Sequence, residues 1–278
     1  MPNRVARALL GIALSLGGGA GARALPIADA LAQAVRGTQA SAVVLDPQTG
    51  AVLASAGESR RDLESAPGSA LKPLLLEYAL EHGIVRAEMQ VYCRRNLRVG
   101  GRSLRCSHPA DQPVFTAQSA LAESCNTWFA EMARRFSGPQ LEAALEATHL
   151  PHRSMTSAGV EQRQLAVLGL SGVTASPLEL VRAYRDLLQH APANGPVVRG
   201  LEDSVNFGMA NPAKVAGVVI LGKTGTASDP GEVRTHGWFA GAIPGRLLVV
   251  VYVRRGDGGA AARLAQTFFQ TLSGGQAR

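Results

Sequence analysis

The sequence predicts a mixed α/β fold of the α+β kind: an antiparallel sheet of about five strands flanked by helices, with a mainly helical subdomain inserted between its halves. Three observations predict it. Apolar runs bounded by turn residues lie near both ends of the chain, at 41–45 and 52–56 and again at 215–221, 237–243 and 247–253. Between them, from about residue 115 to 190, apolar positions recur with the helical period. The chain has 278 residues and 46% hydrophobic content, enough to bury an ordinary core without a partner.

The elements follow in order. Residues 1–24 carry Arg4 and Arg7, then an apolar, Gly-rich run at 8–20, then Ala22 and Ala24 around Arg23, the layout of a secretory signal peptide. Cleavage is expected after Ala24, with an uncleaved anchor as the alternative. The run falls short of the ~20 residues of a spanning helix. Residues 25–278 are then expected to form a single domain, its α/β part at 25–68 and 214–278 and its helical part at 69–213. Residues 27–35 read as a short amphipathic helix. The two strands after it are joined by the turn Asp46-Pro47-Gln48-Thr49-Gly50. A helix starts at or next to Ser69, because Pro73 is tolerated only in a first turn, and Gly83 ends it. Breaks are expected at Gly138-Pro139, Leu150-Pro151 and 169–175. Ser176-Pro177-Leu178-Glu179 is a capping box that opens a further helix, which makes Glu179 structural. A Pro/Gly/Asn-rich stretch at 191–213 reads as irregular, and 260–272 as a closing helix.

Charge and cysteines narrow the functional classes. The formal charge of +7 loses three arginines with residues 1–24 and becomes +4, a mild excess. Arg94, Arg95, Arg98, Arg102 and Arg105 have no aromatic interleaving and read as a solvated hairpin face, so no nucleic-acid partner is expected. Cys93 and Cys106 flank a hairpin centred on Gly100-Gly101 and are expected to form a disulfide in an oxidising compartment, with Cys125 a buried thiol. Two free thiols are the alternative. His149 and His152 are separated by Pro151 and lack carboxylates, so no metal site and no cofactor is expected.

Three short patterns carry chemistry. In Ser69-Ala70-Leu71-Lys72 the lysine sits one helical turn beyond the serine and can take its proton if burial lowers the amine pKa, while the helix start supplies backbone N–H groups for an oxyanion. Ser124-Cys125-Asn126, at a break between helices, can point a hydroxyl and an amide into one cleft. Lys223-Thr224-Gly225-Thr226 ends an apolar run. Its cation and hydroxyls can bind a carboxylate, and Gly225 lets an extended substrate approach the sheet edge. Taken singly, each has an ordinary reading as well: a chance pattern, a helix cap, a polar strand end.

The order Ser-x-x-Lys, Ser-x-Asn, Lys-Thr-Gly resembles the penicillin-binding protein and serine β-lactamase set. The likeness extends to the hairpin at 41–56, the approach Pro67-Gly68-Ser69, the helix in 172–184 and the strand in 236–244, and covers nearly the whole mature chain. It implies a transpeptidase-like fold with Ser69 as acylated nucleophile, Lys72 as base, Ser124 as proton relay and Asn126 binding the substrate amide. Lys223 would keep Lys72 neutral and, with Thr224 and Thr226, bind the substrate carboxylate. The backbone N–H groups of Ser69 and Thr226 would form the oxyanion hole.

The resemblance further implies a secreted or periplasmic enzyme of the cell envelope that acts on D-Ala-D-Ala stem peptides of peptidoglycan as a DD-transpeptidase or DD-carboxypeptidase. β-Lactams would be its covalent inhibitors, and other envelope proteins its partners. Two alternatives stand beside it: a class D-like serine β-lactamase, which usually has an apolar residue where Asn126 stands, and a β-lactam or peptide sensor without turnover. The chain departs from larger relatives in the short stretch ahead of Ser69 and in the short segment 191–215.

Overall fold

The computed structural model describes residues 26–57, 64–111 and 113–274; the expected signal peptide lies outside the described residues. The chain runs through α1 (Ile27–Val35), β1 (Ala40–Leu45), β2 (Val52–Gly57), a 3-10 turn (Gly68–Leu71) and α2 (Lys72–Glu81). It continues through the short strands β3 (Val91–Tyr92), β4 (Asn96–Val99), β5 (Arg102–Arg105) and β6 (Val114–Phe115). Helices α3 (Ala117–Ala122), α4 (Asn126–Arg135), α5 (Gly138–Glu146), α6 (Val160–Val167), α7 (Pro177–His190) and α8 (Pro196–Asn206) follow. Then come β7 (Leu221–Ala227), β8 (His236–Ile243), β9 (Leu247–Val253) and α9 (Gly258–Gly274).

The five long strands form one antiparallel sheet in the order β2-β1-β9-β8-β7, so segments from the two ends of the chain meet at the β1–β9 pair. All of β9 is buried because both sheet faces are covered, and the two-residue period of a strand divides it between two cores. Leu247, Val249, Val251 and Val253 join α1 and α9 on one face. Leu248, Val250 and Tyr252 join the helical part on the other. The same alternation splits β8, with Phe239 on the α1/α9 side and Trp238, Ala240 and Ala242 on the helical side. Strand β7 lies at one edge of the sheet.

Local chemistry accounts for the boundaries. The Ser176 hydroxyl accepts from Glu179 N–H at 3.2 Å while the Glu179 carboxylate accepts from Ser176 N–H at 2.8 Å, the expected capping box. The Gly100-Gly101 turn forms with both residues at positive φ, 54° and 75°, and pairs β4 with β5.

Two expectations need correction. The stretch 191–213 is not irregular: Pro196 opens helix α8 at its first turn, and Gly200 lets α8 approach α3, where a Cβ would come within 3.0 Å of the Gln118 carbonyl. A glycine and a proline read as breakers because their packing role is invisible in one dimension. The strand expected at 215–221 instead begins at Leu221 and contains Lys223-Thr224-Gly225-Thr226 itself. Lys223 and Thr224 are buried there despite their polarity, so hydropathy misplaced the strand.

Candidate active site

The Ser69 turn is held from three sides. Gly68 has φ +54°, a left-handed conformation that favours glycine, and its N–H donates to the Gly169 carbonyl at 2.9 Å. A Cβ at Gly68 would fall 2.6 Å from Thr226 O, and one at Gly225 would fall 2.3 Å from Pro67 O. Gly225 thus faces the Ser69 turn and lets β7 pack against it, a tighter role than leaving room for substrate. Tyr184 of α7 donates to Ala70 O at 2.7 Å. The Ala66 carbonyl accepts from His236 Nε2 at 2.7 Å and from Trp238 Nε1 at 3.0 Å, so His236 anchors this approach as a donor. Asp229 accepts from Ala66 N–H and from the Ser65 hydroxyl, both at 3.0 Å. Tyr184, Asp229 and Ser65 were not singled out by sequence, since no motif marks a buttress.

Ser124 lies between α3 and α4 at φ +55°, a conformation that costs a non-glycine residue energy and recurs at functional sites. It aims both its carbonyl and its hydroxyl at Lys72. The Lys72 ammonium donates to Ser124 O at 2.9 Å, to Asn126 Oδ1 at 2.8 Å and to Ser124 Oγ at 3.3 Å. Lys223 donates to the same Ser124 Oγ at 2.9 Å and to Thr224 O at 3.1 Å. Ser124 Oγ therefore bridges the two amines. Lys72 also sits 4.8 Å above the Phe129 ring centroid.

Both lysines are 0% exposed. Burial, which penalises the charged form, brings Lys72 down from the usual amine value to about 8. Burial also pushes Lys223 well below its ordinary value, and the Lys72 charge adds to that, while Glu123 opposes it. The like-charge effect expected from Lys223 onto Lys72 thus falls on Lys223, and desolvation dominates at both.

Ser69, Ser124, Asn126, Thr224 and Thr226 line one cleft of about 200 Å³ with Arg105, Ser107, Leu168, Leu170 and Met209. The Thr226 hydroxyl accepts from Gly258 N–H at the start of α9 at 2.9 Å. The structure thus brings together the expected set from all three motifs at the edge strand β7. The Lys72 backbone N–H donates to the Ser69 carbonyl, while among the described residues the Lys72 ammonium bonds Ser124 and Asn126 and not the Ser69 hydroxyl.

The expected disulfide does not form: Cys93, Cys106 and Cys125 are free and buried. The β4–β5 hairpin does bring Cys93 and Cys106 together, but the third thiol and His108 join them, and the sulfurs hydrogen-bond instead of pairing. The Cys93 thiol lies 3.2 Å from His108 Nε2 and donates to the Thr127 hydroxyl at 3.5 Å. Hydrogen bonds, first from the Cys125 thiol and then from the Thr127 and Asn126 backbone, hold Cys106 low, at about 4, against the opposing effect of burial. In the sequence, Cys106-Ser107-His108 is the local signal of this cluster.

The penicillin binding protein transpeptidase domain model matches residues 40–273, most of the chain. The chain belongs to that family. Solved structures agree at the level of fold. The transpeptidase domain is similar to the D,D-transpeptidase domain of a peptidoglycan glycosyltransferase from Eggerthella lenta, with TM-score 0.77, 20% identity, and coverage of 90% of this chain and 81% of that one. The TP domain of penicillin-binding protein 3 from Burkholderia pseudomallei gives TM-score 0.76 at 19% identity, covering 88% and 91%. No curated protein matches the chain by sequence. No helix among the described residues is long and apolar enough to cross a membrane.

Proposed function

We propose that this transpeptidase domain is a penicillin-binding serine acyltransferase of the cell envelope, acting on D-Ala-D-Ala stem peptides of peptidoglycan through a Ser69 acyl-enzyme. The observation that carries it is the Lys72–Ser124–Lys223 hydrogen-bond chain beside Ser69, in a cleft at an open sheet edge.

The substrate peptide adds along β7, a mode in which backbone hydrogen bonds supply affinity. Neutral Lys72 takes the Ser69 proton as Oγ attacks the penultimate carbonyl. A buried amine near neutrality suits that role better than one at the ordinary lysine value. The oxyanion is held by the backbone N–H groups of Ser69 and Thr226; the close approach of Gly68 to the Thr226 backbone supports that pairing. Ser124 passes the proton from Lys72 to the departing amine of D-Ala, so the acyl–nitrogen bond breaks as nitrogen is protonated. Asn126 aligns the substrate amide. Lys223, Thr224 and Thr226 attract the terminal carboxylate of the substrate or the carboxylate of a β-lactam. An amine of a second stem peptide completes transpeptidation, and water completes the carboxypeptidase reaction.

Incubation with a labelled penicillin, followed by intact mass over time, tests the reading. A persistent adduct that is absent in Ser69→Ala supports it. Rapid turnover of the adduct points to a lactamase, and absence of any Ser69-dependent adduct overturns acylation at this serine.

A further inference from the structure

A second constellation lies against the back of the Ser124 turn. Cys93, Cys106, His108 and Cys125 are all buried, and their ligand atoms all lie within 4.8 Å of one another. In a tetrahedral site with zinc–sulfur bonds of about 2.3 Å and zinc–nitrogen bonds of about 2.0 Å, neighbouring ligand atoms stand roughly 3.5–3.8 Å apart. A small contraction of this cluster reaches that geometry.

We propose that Cys93, Cys106, His108 and Cys125 bind one structural zinc ion. Three thiolates and one imidazole fill a closed four-coordinate site, and that soft donor set selects zinc over oxygen-seeking cations. The surrounding bonds hold the ligands in place. His108 Nδ1 lies 2.9 Å from the Pro109 carbonyl, which accepts its proton and leaves Nε2 with a lone pair aimed at the cluster. The Arg95 backbone N–H donates to Cys93 Sγ at 3.3 Å, with Arg95 at φ +60°. The Arg95 guanidinium donates to the His108 and Cys106 carbonyls at 2.9 and 3.4 Å, closing the loop around the ligands. On binding, the thiol protons still held by the cysteines pass to solvent, and the metal adds strong bonds between segments already joined by the Arg95 contacts and by weak sulfur contacts.

The consequence for the cleft is positional. Cys125 stands between Ser124 and Asn126, the two residues that hold Lys72. A zinc ion on Cys125 therefore pins the Ser124 turn to the β4–β5 hairpin, whose residues Leu104 and Arg105 line the same cleft. These four residues touch the metal and act on Ser124 and Asn126 only through the backbone.

The test is metal content and ligand chemistry of the whole chain. Native mass spectrometry and elemental analysis of protein produced with zinc are expected to give one zinc per chain retained through gel filtration. Metal-free protein titrated with cobalt(II) is expected to develop a thiolate-to-cobalt charge-transfer band and the visible bands of a tetrahedral centre. Cys93→Ser and His108→Ala are expected to lose the retained metal. Should these variants fail to fold, the wild-type cobalt spectrum decides. Ser69→Ala, which removes the acylation site, keeps full metal content, so failure of acylation and failure of metal binding are separately visible. A Cys–Cys cross-link in a non-reducing peptide map, only traces of metal in protein with three alkylatable thiols, or an octahedral cobalt spectrum without thiolate bands each overturns the proposal.

Discussion

Two buried polar clusters meet back to back at Ser124-Cys125-Asn126, and they are built in opposite ways. On one side Lys72 and Lys223 share the Ser124 hydroxyl, each amine taken out of water and destabilised as a cation. On the other side three cysteine sulfurs and His108 Nε2 pack within 4.8 Å of one another, soft donors that gain strongly from a soft cation. The lysine side stores free energy in desolvated charge and can release it by giving up protons. The thiol side, with the proposed zinc bound, would act as a fastener. The proposed active site and its proposed zinc support thus share one tripeptide, Ser124-Cys125-Asn126.

Ser69→Ala abolishes the penicillin adduct altogether, read by intact mass, while leaving both clusters in place. Lys72→Met lowers the acylation rate by about 10²–10⁴, the usual worth of a positioned base, measured with a chromogenic β-lactam. Acylation by the wild type rises with pH through about 8, where the Lys72 amine becomes neutral; a profile flat across that range argues that Lys72 is not the base.

Stability should follow the same group. The folded-state value of about 8 lies below the ordinary lysine value of 10.5. Between those pH values the unfolded chain binds the proton and the folded chain does not, so stability rises with pH across this window. The wild type should therefore gain stability relative to Lys72→Met from pH 8 to 10.5 in chemical denaturation, and a constant difference would remove desolvated Lys72 from the account.

Smaller effects probe how the lysine side is held. Gly225→Ala drives a methyl group into Pro67 O and is expected to cost about 1–3 kcal/mol in urea unfolding, with slowed acylation because the Ser69 turn shifts. Tyr184→Phe leaves Ala70 O without its donor and is expected to cost about 1–2 kcal/mol, with a lesser change in rate.

Much of the fold was legible because hydropathy tracks layer. The runs at 237–243 and 247–253 are continuous since both sheet faces are covered, and α1, β1 and β2 lie within a residue of where the pattern put them. Strand β7 was displaced because its residues are buried for reasons of chemistry, and α8 was missed because Gly200 and Pro196 are there to permit contact and to start a helix. The motif residues were legible as types at fixed spacing. Their buttresses were not: Tyr184 is separated from Ala70 by 114 positions and His236 from Ala66 by 170, and no local rule links them.

By itself the sequence determined the sheet-and-helix plan and the three patterns that converge on Ser69, since both rest on local spacing and on water's exclusion of apolar side chains. Only the tertiary structure decided that burial rather than mutual repulsion chiefly lowers the Lys72 amine, and that Cys93 and Cys106 belong to a four-membered cluster instead of a pair. Desolvation and ligand geometry depend on what surrounds an atom in three dimensions, and those neighbours arrive from distant parts of the chain.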